Sequence, residues 1–110
     1  MDNDMQEGSC LRIYLSESDR IDGKPALETI LELCQSCGLK GVSVLRGIEG
    51  LGEHGIHSTS FLSLSSSLPL LVEAIDTKKQ IEKTVEQLRP HLIGKLVATW
   101  PVSLLRDHQG

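Results

Sequence analysis

Between Arg46 and Ser58 the chain reads RGIEGLGEHGIHS, thirteen residues holding four glycines and two histidines, with an arginine at the entrance. Closely spaced glycines let a backbone take positive φ and turn its amides toward an anion, and Gly50 and Gly52 are the best placed to do so. A bare Gly-x-Gly is a weak signal, and a plain turn accounts for it equally well. Arg46 offers a planar fork that matches carboxylate or phosphate in a way lysine cannot. The bland alternative is a surface ion pair with Glu49 or Glu53, a contact that contributes about 0–1 kcal/mol.

Other residues here have the right types for chemistry but lack partners. His54 and His57 could bind a metal, yet no third ligand lies close in sequence, so a hydrogen-bonding or pH-sensitive role suits His57 better. His57, Ser58 and Asp76 are the types of a hydrolytic triad, but there is no nucleophile elbow to position them. Glu73 and Asp76, at the end of a strand, are read as partners for backbone or subunit contacts. Cys34 and Cys37 form a CxxC, but a structural zinc site wants four ligands. The pair also falls in the last turn of a helix, the end that disfavours a thiolate, and packing is the reading for both.

The bulk composition narrows the function classes. A chain of 110 residues makes one domain with a single core, and with one Trp, one Tyr and one Phe that core is built from Leu, Ile and Val. A net charge of -4 with scattered Lys and Arg argues against a nucleic-acid surface. Three cysteines, Cys10, Cys34 and Cys37, suggest a reducing compartment rather than a disulfide framework. No apolar run approaches the roughly 18 residues of a membrane span, and the start, MDNDMQEGS, is acidic and polar. A cytoplasmic protein without membrane insertion is expected.

The elements that must position these residues can be read in turn. Residues 1–9 are expected to form a flexible tail and 10–106 the folded domain. CLRIYLS (10–16) alternates as a half-buried strand with Leu11, Ile13 and Leu15 on one face. KPALETILELCQSCG carries Leu27, Ile30, Leu31 and Cys34 at helical spacing, with Pro25 near the first turn and Gly38 as the stop. Val42, Val44 and Ile48 restore a strand pattern, and a connection from Gly47 to Leu68 follows. Connections of such length are uncommon unless functional or disordered. Within it, HSTSFLSLSS alternates weakly enough that part of it could extend the sheet. LPLLVEAID is a buried strand opened by Pro69. TKKQIEKTVEQLRPHL puts Ile81, Val85, Leu88 and Leu92 on one stripe, with Thr77 as N-cap and an end near Pro90. KLVATWPVSLL is a strand interrupted at Pro101, and RDHQG should fray.

The order β-α-β-β-α-β with halves of similar length predicts an α+β, ferredoxin-like sandwich, a four-stranded antiparallel sheet with two helices on one face. The strands are apolar nearly throughout, so the helix-free face should be buried against other subunits.

The stretches DGKPALETILELCQSCGLKGVSVLRGIEGLGEHGIHS and LSSSLPLLVEAID resemble the PII-like family known as domain of unknown function 190, related to the PII signalling and CutA proteins. The resemblance covers about residues 10 to 105 and is most specific at Gly38 to Gly52, at His57 with Ser58, and from Leu68-Pro69 to Glu73 and Asp76. It implies a homotrimer with ligand clefts between subunits at the base of a long loop, no cofactor, and no established reaction. In PII proteins a strand runs into Gly-x-Gly followed by basic and amide residues that hold nucleotide phosphates. Gly50-Leu51-Gly52 stands in that place, but Glu53, His54 and Gly55 follow, so the basic contact is missing and Glu53 would repel a phosphate. Arg46, and Lys95 in a Gly-Lys pair matching one before the last PII strand, are the compensating cations. The candidate ligand set is thus Arg46, Gly47, Gly50, Gly52, His57 and Lys95, receiving a small anionic effector, with nucleotide one possibility. Glu53 and His54 are the candidate contacts to a protein partner, a membrane transporter or channel as for PII-type proteins, reached through the 47–67 loop. The alternatives are a CutA-like module binding a divalent metal through His54, His57 or the cysteines and, behind it, an enzyme in the inter-subunit cleft.

Overall fold

The computed structural model describes residues 4–47, 49–52, 55–58 and 68–106, the two short stretches by their backbone alone. In chain order the elements are β1 (Met5–Ser16), β2 (Arg20–Ile21), β3 (Lys24–Pro25), α1 (Ala26–Ser36), β4 (Val42–Arg46), β5 (Glu49–Gly52), β6 (Gly55–Ser58), β7 (Pro69–Thr77), α2 (Lys78–Leu88) with a 3-10 turn over Arg89–His91, and β8 (Leu96–Leu105). Four of them make one antiparallel sheet in the order β4-β7-β1-β8, the ferredoxin-like arrangement expected, with both helices on one face.

The alternation of β1 decides which face is which. Leu11, Ile13 and Leu15 are buried under the helices, facing Val72 and Ala74 of β7, Ile30 and Cys34 of α1, and Ile81 and Leu88 of α2. On the other face lie Arg12 and Tyr14, opposite Glu73 and Leu71 on β7 and Ala98 and Leu96 on β8. Tyr14, Leu45, Ile75, Leu96 and Trp100 of that face are all exposed. At its centre Arg12 pairs with Glu73, its Nε donating at 3.0 Å, and the guanidinium lies 5.3 Å from the Trp100 ring centroid.

Local chemistry explains the helix ends. Pro25 occupies the N-cap position of α1 with φ -53°, and the first helical amide, Ala26, donates to the Asp19 carbonyl at 2.9 Å. Gly38, at φ +85°, closes α1, which lets the Gly38 and Leu39 amides turn back to the Gln35 and Cys34 carbonyls. Thr77 caps α2 as its composition suggests, accepting from the Gln80 amide at 3.2 Å. Gln80 also reaches the Cys37 carbonyl at 3.0 Å and ties the two helices together.

Two expectations need correcting, and two connections carry more structure than the sequence reading assigns them. β1 starts at Met5, so residues 5–9 belong to the sheet rather than to a tail, because β8 is long enough to pair Met5 with Leu105. β8 runs unbroken through Pro101, since an edge strand has an outward side where a missing N–H costs no ladder bond. The polar turn after β1 contains a small hairpin, β2–β3, around Asp22 and Gly23 with φ 51° and 81°, the signature of a type I′ turn. The connection after Gly47 is not structureless, for β5 and β6 pair there with Gly50 opposite His57 and Gly52 opposite Gly55. The weakly alternating stretch 59–67 and the tail 107–110 lie outside the described residues.

Candidate functional site

The end of the sheet where β1 and β4 finish and β7 and β8 begin collects the candidate cations. Arg46 is the last residue of β4, paired in register with Leu70, and its side chain is largely exposed on the helix side. Lys95 precedes β8 in the turn whose Gly94 takes φ +81°. β4 and β8 are the two edges of the sheet, three strand spacings or about 14 Å apart. The two cations therefore flank this end rather than forming a single cluster.

Each has a carboxylate from the turn that leaves β1. Arg46 Nη2 donates to Glu17 Oε2 at 3.0 Å, and Lys95 Nζ lies 2.9 Å from Asp19 Oδ2. The turn is held firmly: the Ser16 amide donates to Asp19 Oδ2 at 2.9 Å, the Glu17 amide to the Leu68 carbonyl at 3.0 Å, and the Asp19 carbonyl caps α1. Burial pushes the Asp19 carboxyl upward, but the Lys95 and Ser16 hydrogen bonds and the charge of Lys95 outweigh it and hold the group below its ordinary value. Glu17 keeps its second oxygen, Oε1, buried and without a hydrogen-bond partner among the described residues. Among the described residues the turn carboxylates are thus the partners of these cations, while the side chains of Glu49 and Glu53 lie outside the described part. They sit in the SESD turn, where the local signal is two acids two residues apart just after a strand end.

Beside Arg46 an open depression of about 370 Å³ is lined by Ser16, Glu17, Leu27, Val44, Arg46 and Leu70. Gly47, the next residue in the chain after Arg46, has a packing reason of its own. Its amide donates to the Pro69 carbonyl at 2.8 Å, and a Cβ there would stand 2.6 Å from Pro69 Cγ. Gly50 and Gly52 are strand residues of the β5–β6 hairpin. Being two apart in one antiparallel ladder, they share one bonding pattern, so their amides are committed or outward-facing together. His57 is placed by its backbone opposite Gly50. Glu53 and His54 lie outside the described residues.

The remaining chemical candidates fall elsewhere. Asp76 sits at the far end of β7, about 23 Å along the strand from Pro69 at roughly 3.3 Å per residue. There it accepts the Thr77 amide at 2.7 Å and the Lys40 amide at 3.3 Å, a structural use at the pole of the sheet away from Arg46. Cys34 and Cys37 are buried, and burial, with the neighbouring Cys37 behind it, pushes the Cys34 thiol up to about 11. That is the environment of a packing cysteine rather than of a nucleophile or a metal ligand. Among the described residues no three His, Cys, Asp or Glu side chains group to hold a metal, and no helix is long and apolar enough to cross a membrane. A larger depression, about 660 Å³ between α2 and β8, carries Glu7, Glu82 and Glu86 against Lys78 and Arg89, which pair with Glu7 at 3.8 Å and Glu86 at 2.8 Å. Its carboxylates make it a poor receptor for an anion.

Comparison with known proteins agrees with this architecture. The structure is similar to that of CPII, a nitrogen regulatory PII-like protein from Thiomonas intermedia K12 bound to ADP, AMP and bicarbonate, with a TM-score of 0.70 and 16% identity over 93% of this chain and 92% of that one. It is also similar to a putative PII-like signaling protein from Thermus thermophilus, at a TM-score of 0.62 and 14% identity over 92% of this chain and 90% of that one. In sequence it is 38% identical to a UPF0166 protein of Aquifex aeolicus over 72% of this chain and 76% of the relative. A UPF0166 protein of Methanocaldococcus jannaschii is 30% identical over 76% and 78% respectively. Residues 8–104 match the family model described as "Uncharacterized ACR, COG1993", DUF190, and with nearly the whole domain so covered the chain belongs to this family.

Proposed function

We propose that the protein is a PII-like regulator that binds a small anionic effector at the end of the sheet bearing Arg46 and Lys95 and signals to a partner through the 47–67 loop. The observation that carries this reading is the placement of Arg46 at the root of that loop, its guanidinium largely exposed beside an open depression and tied by one hydrogen bond to Glu17. A guanidinium held this way keeps most of its five donors for an incoming anion. Gly47, the backbone of Gly50 and Gly52, and His57 supply the adjoining wall, and Lys95 the second charge. Glu53 and His54 would face the protein partner, a membrane transporter or channel. The role is regulatory rather than catalytic, in the cytoplasm.

The effector cleft is completed by a second subunit in a homotrimer. The exposed apolar side chains Tyr14, Leu45 and Leu96 on one side of the Arg12–Glu73 pair and Ile75 and Trp100 on the other support this assembly, since apolar surface is costly to leave in water. The PII-like neighbours support a nucleotide as effector, CPII having been crystallised with ADP and AMP.

Calorimetric titration with ADP, AMP and inorganic pyrophosphate, alongside light scattering for mass, tests the reading. Saturable binding by a trimer that Arg46→Ala weakens is the expected result. A monomer, or binding indifferent to Arg46→Ala, sinks it.

A further inference from the structure

Both cations of the effector end carry a counter-ion supplied by the chain itself. Glu17 and Asp19 sit two residues apart in one turn and reach in opposite directions, to Arg46 on one edge of the sheet and to Lys95 near the other. Their turn is fixed by the Ser16 amide on the Asp19 carboxylate, by the Glu17 amide on Leu68 and by the first amide of α1 on the Asp19 carbonyl. A carboxylate held on such a turn competes with any free anion.

We propose that Glu17 and Asp19 are internal counter-anions that set the selectivity of this end of the sheet, admitting phosphorylated polyanions and turning away monocarboxylates. The proposal rests on the reading of this end as the effector site.

The argument is one of competition. A tethered group acts at an effective concentration on the order of millimolar. A free carboxylate offers Arg46 or Lys95 the same kind of bond as the resident one, so below that concentration it gains nothing by exchange. A phosphoryl group brings about -1.5 to -2 charges and three acceptor oxygens. Its greater charge and third oxygen are what a competing carboxylate lacks, since either anion can take the guanidinium fork that Glu17 meets with a single 3.0 Å bond. The resident pairs are also weak enough to open, since ion pairs near the surface contribute little net free energy. Glu17 is held by Arg46 through one oxygen while its Oε1 has no partner among the described residues, so its displacement forfeits one hydrogen bond.

The test is calorimetric titration of the full chain, at low ionic strength, with inorganic pyrophosphate and with acetate. Wild type is compared with Glu17→Gln, Asp19→Asn and Arg46→Ala, each first checked for cooperative unfolding. Asp19→Asn retains an oxygen for the Ser16 amide, and Glu17→Gln leaves the turn's backbone bonds in place, so either variant alone carries the test. Wild type should bind pyrophosphate and ignore acetate below millimolar concentration, and each of the two carboxylate variants should bind pyrophosphate about 2- to 5-fold more tightly. Glu17→Gln should in addition begin to bind acetate. Pyrophosphate binding that Arg46→Ala weakens but neither carboxylate variant strengthens overturns the internal counter-anions and spares the site. Acetate bound by wild type as tightly as pyrophosphate overturns them too. Absence of pyrophosphate binding in wild type and in both carboxylate variants overturns the site and the counter-anions together.

Discussion

The amide of Gly47 donates to the carbonyl of Pro69 at 2.8 Å, and the Pro69 ring fills the space where a side chain on residue 47 would begin. The loop therefore leaves and re-enters the sheet at a single clamped point, whatever its interior does. Gly47→Ala must move a proline ring 2.6 Å from the new Cβ. It should cost about 1–3 kcal/mol, the usual cost of overpacking, read as a lower urea midpoint at unchanged slope.

Arg46→Ala should have the opposite profile. Removing a largely exposed guanidinium with one carboxylate partner among the described residues changes stability by less than about 1 kcal/mol. Losing its bond to a charged effector should weaken pyrophosphate binding by about 1–3 kcal/mol in calorimetry. A large stability loss without an affinity loss would make Arg46 a structural residue.

Thr77 accepts the Gln80 amide at the start of α2, and neither Lys78 nor Lys79 adds a helpful charge to that first turn. Thr77→Ala should destabilise the fold by about 1 kcal/mol in thermal or urea unfolding, while Thr77→Ser restores most of it.

Ile75 lies on the helix-free face opposite Cys10, and nearly half of it is exposed. If copies meet through this face, Ile75→Asp puts a charge into the contact without touching the core of the protomer. Light scattering should show the trimer reduced to monomers with an unchanged far-ultraviolet circular dichroism spectrum; a persistent trimer would place the contact elsewhere.

Cys34 gives a dependence on alkaline pH. Its folded value, about 11, lies above the ordinary 9.0, so the native state keeps a proton that the unfolded chain releases. The associated stability is fully present below about pH 9 and is lost as pH rises toward 11, at up to about 1.4 kcal/mol per pH unit. The stability gap between wild type and Cys34→Ala should accordingly narrow across this window in urea titrations. A constant gap would mean that the thiol does not titrate differently in the two states.

Most of the fold can be read from periodicity. Leu11, Ile13 and Leu15 alternate, Ile81, Val85, Leu88 and Leu92 recur at helical spacing, and Thr77 and Gly38 mark helix ends, because one side of each element faces a single core. The parts that escape such a reading lie where that core exerts no pattern. Gln6 to Ser9 are polar or small and become strand through partners far away in the sequence, on β8 and, for Gly8 and Ser9, also on β7. Pro101 reads as a break unless its strand is known to be an edge. Arg46 and Lys95 are recognisable as cations, but Glu17 and Asp19 are not recognisable as their partners, since nothing local in SESD says which strand ends will lie beside it.

The pairing of Met5 with Leu105, continued by the Arg106 amide on the Asp4 carbonyl, has a practical consequence. β1 is twelve residues long, about 40 Å at roughly 3.3 Å per residue. Its start and the finish of β8 share one pole of the domain, while Arg46, Glu17 and Lys95 occupy the opposite pole. A fluorophore attached at Met5 or at Leu105 lands at the same spot, most of a molecular length from Arg46 and Lys95. Donor and acceptor dyes on residues 5 and 105 would sit side by side in the folded protein and separate on unfolding, giving an optical gauge of stability that leaves ligand titrations undisturbed.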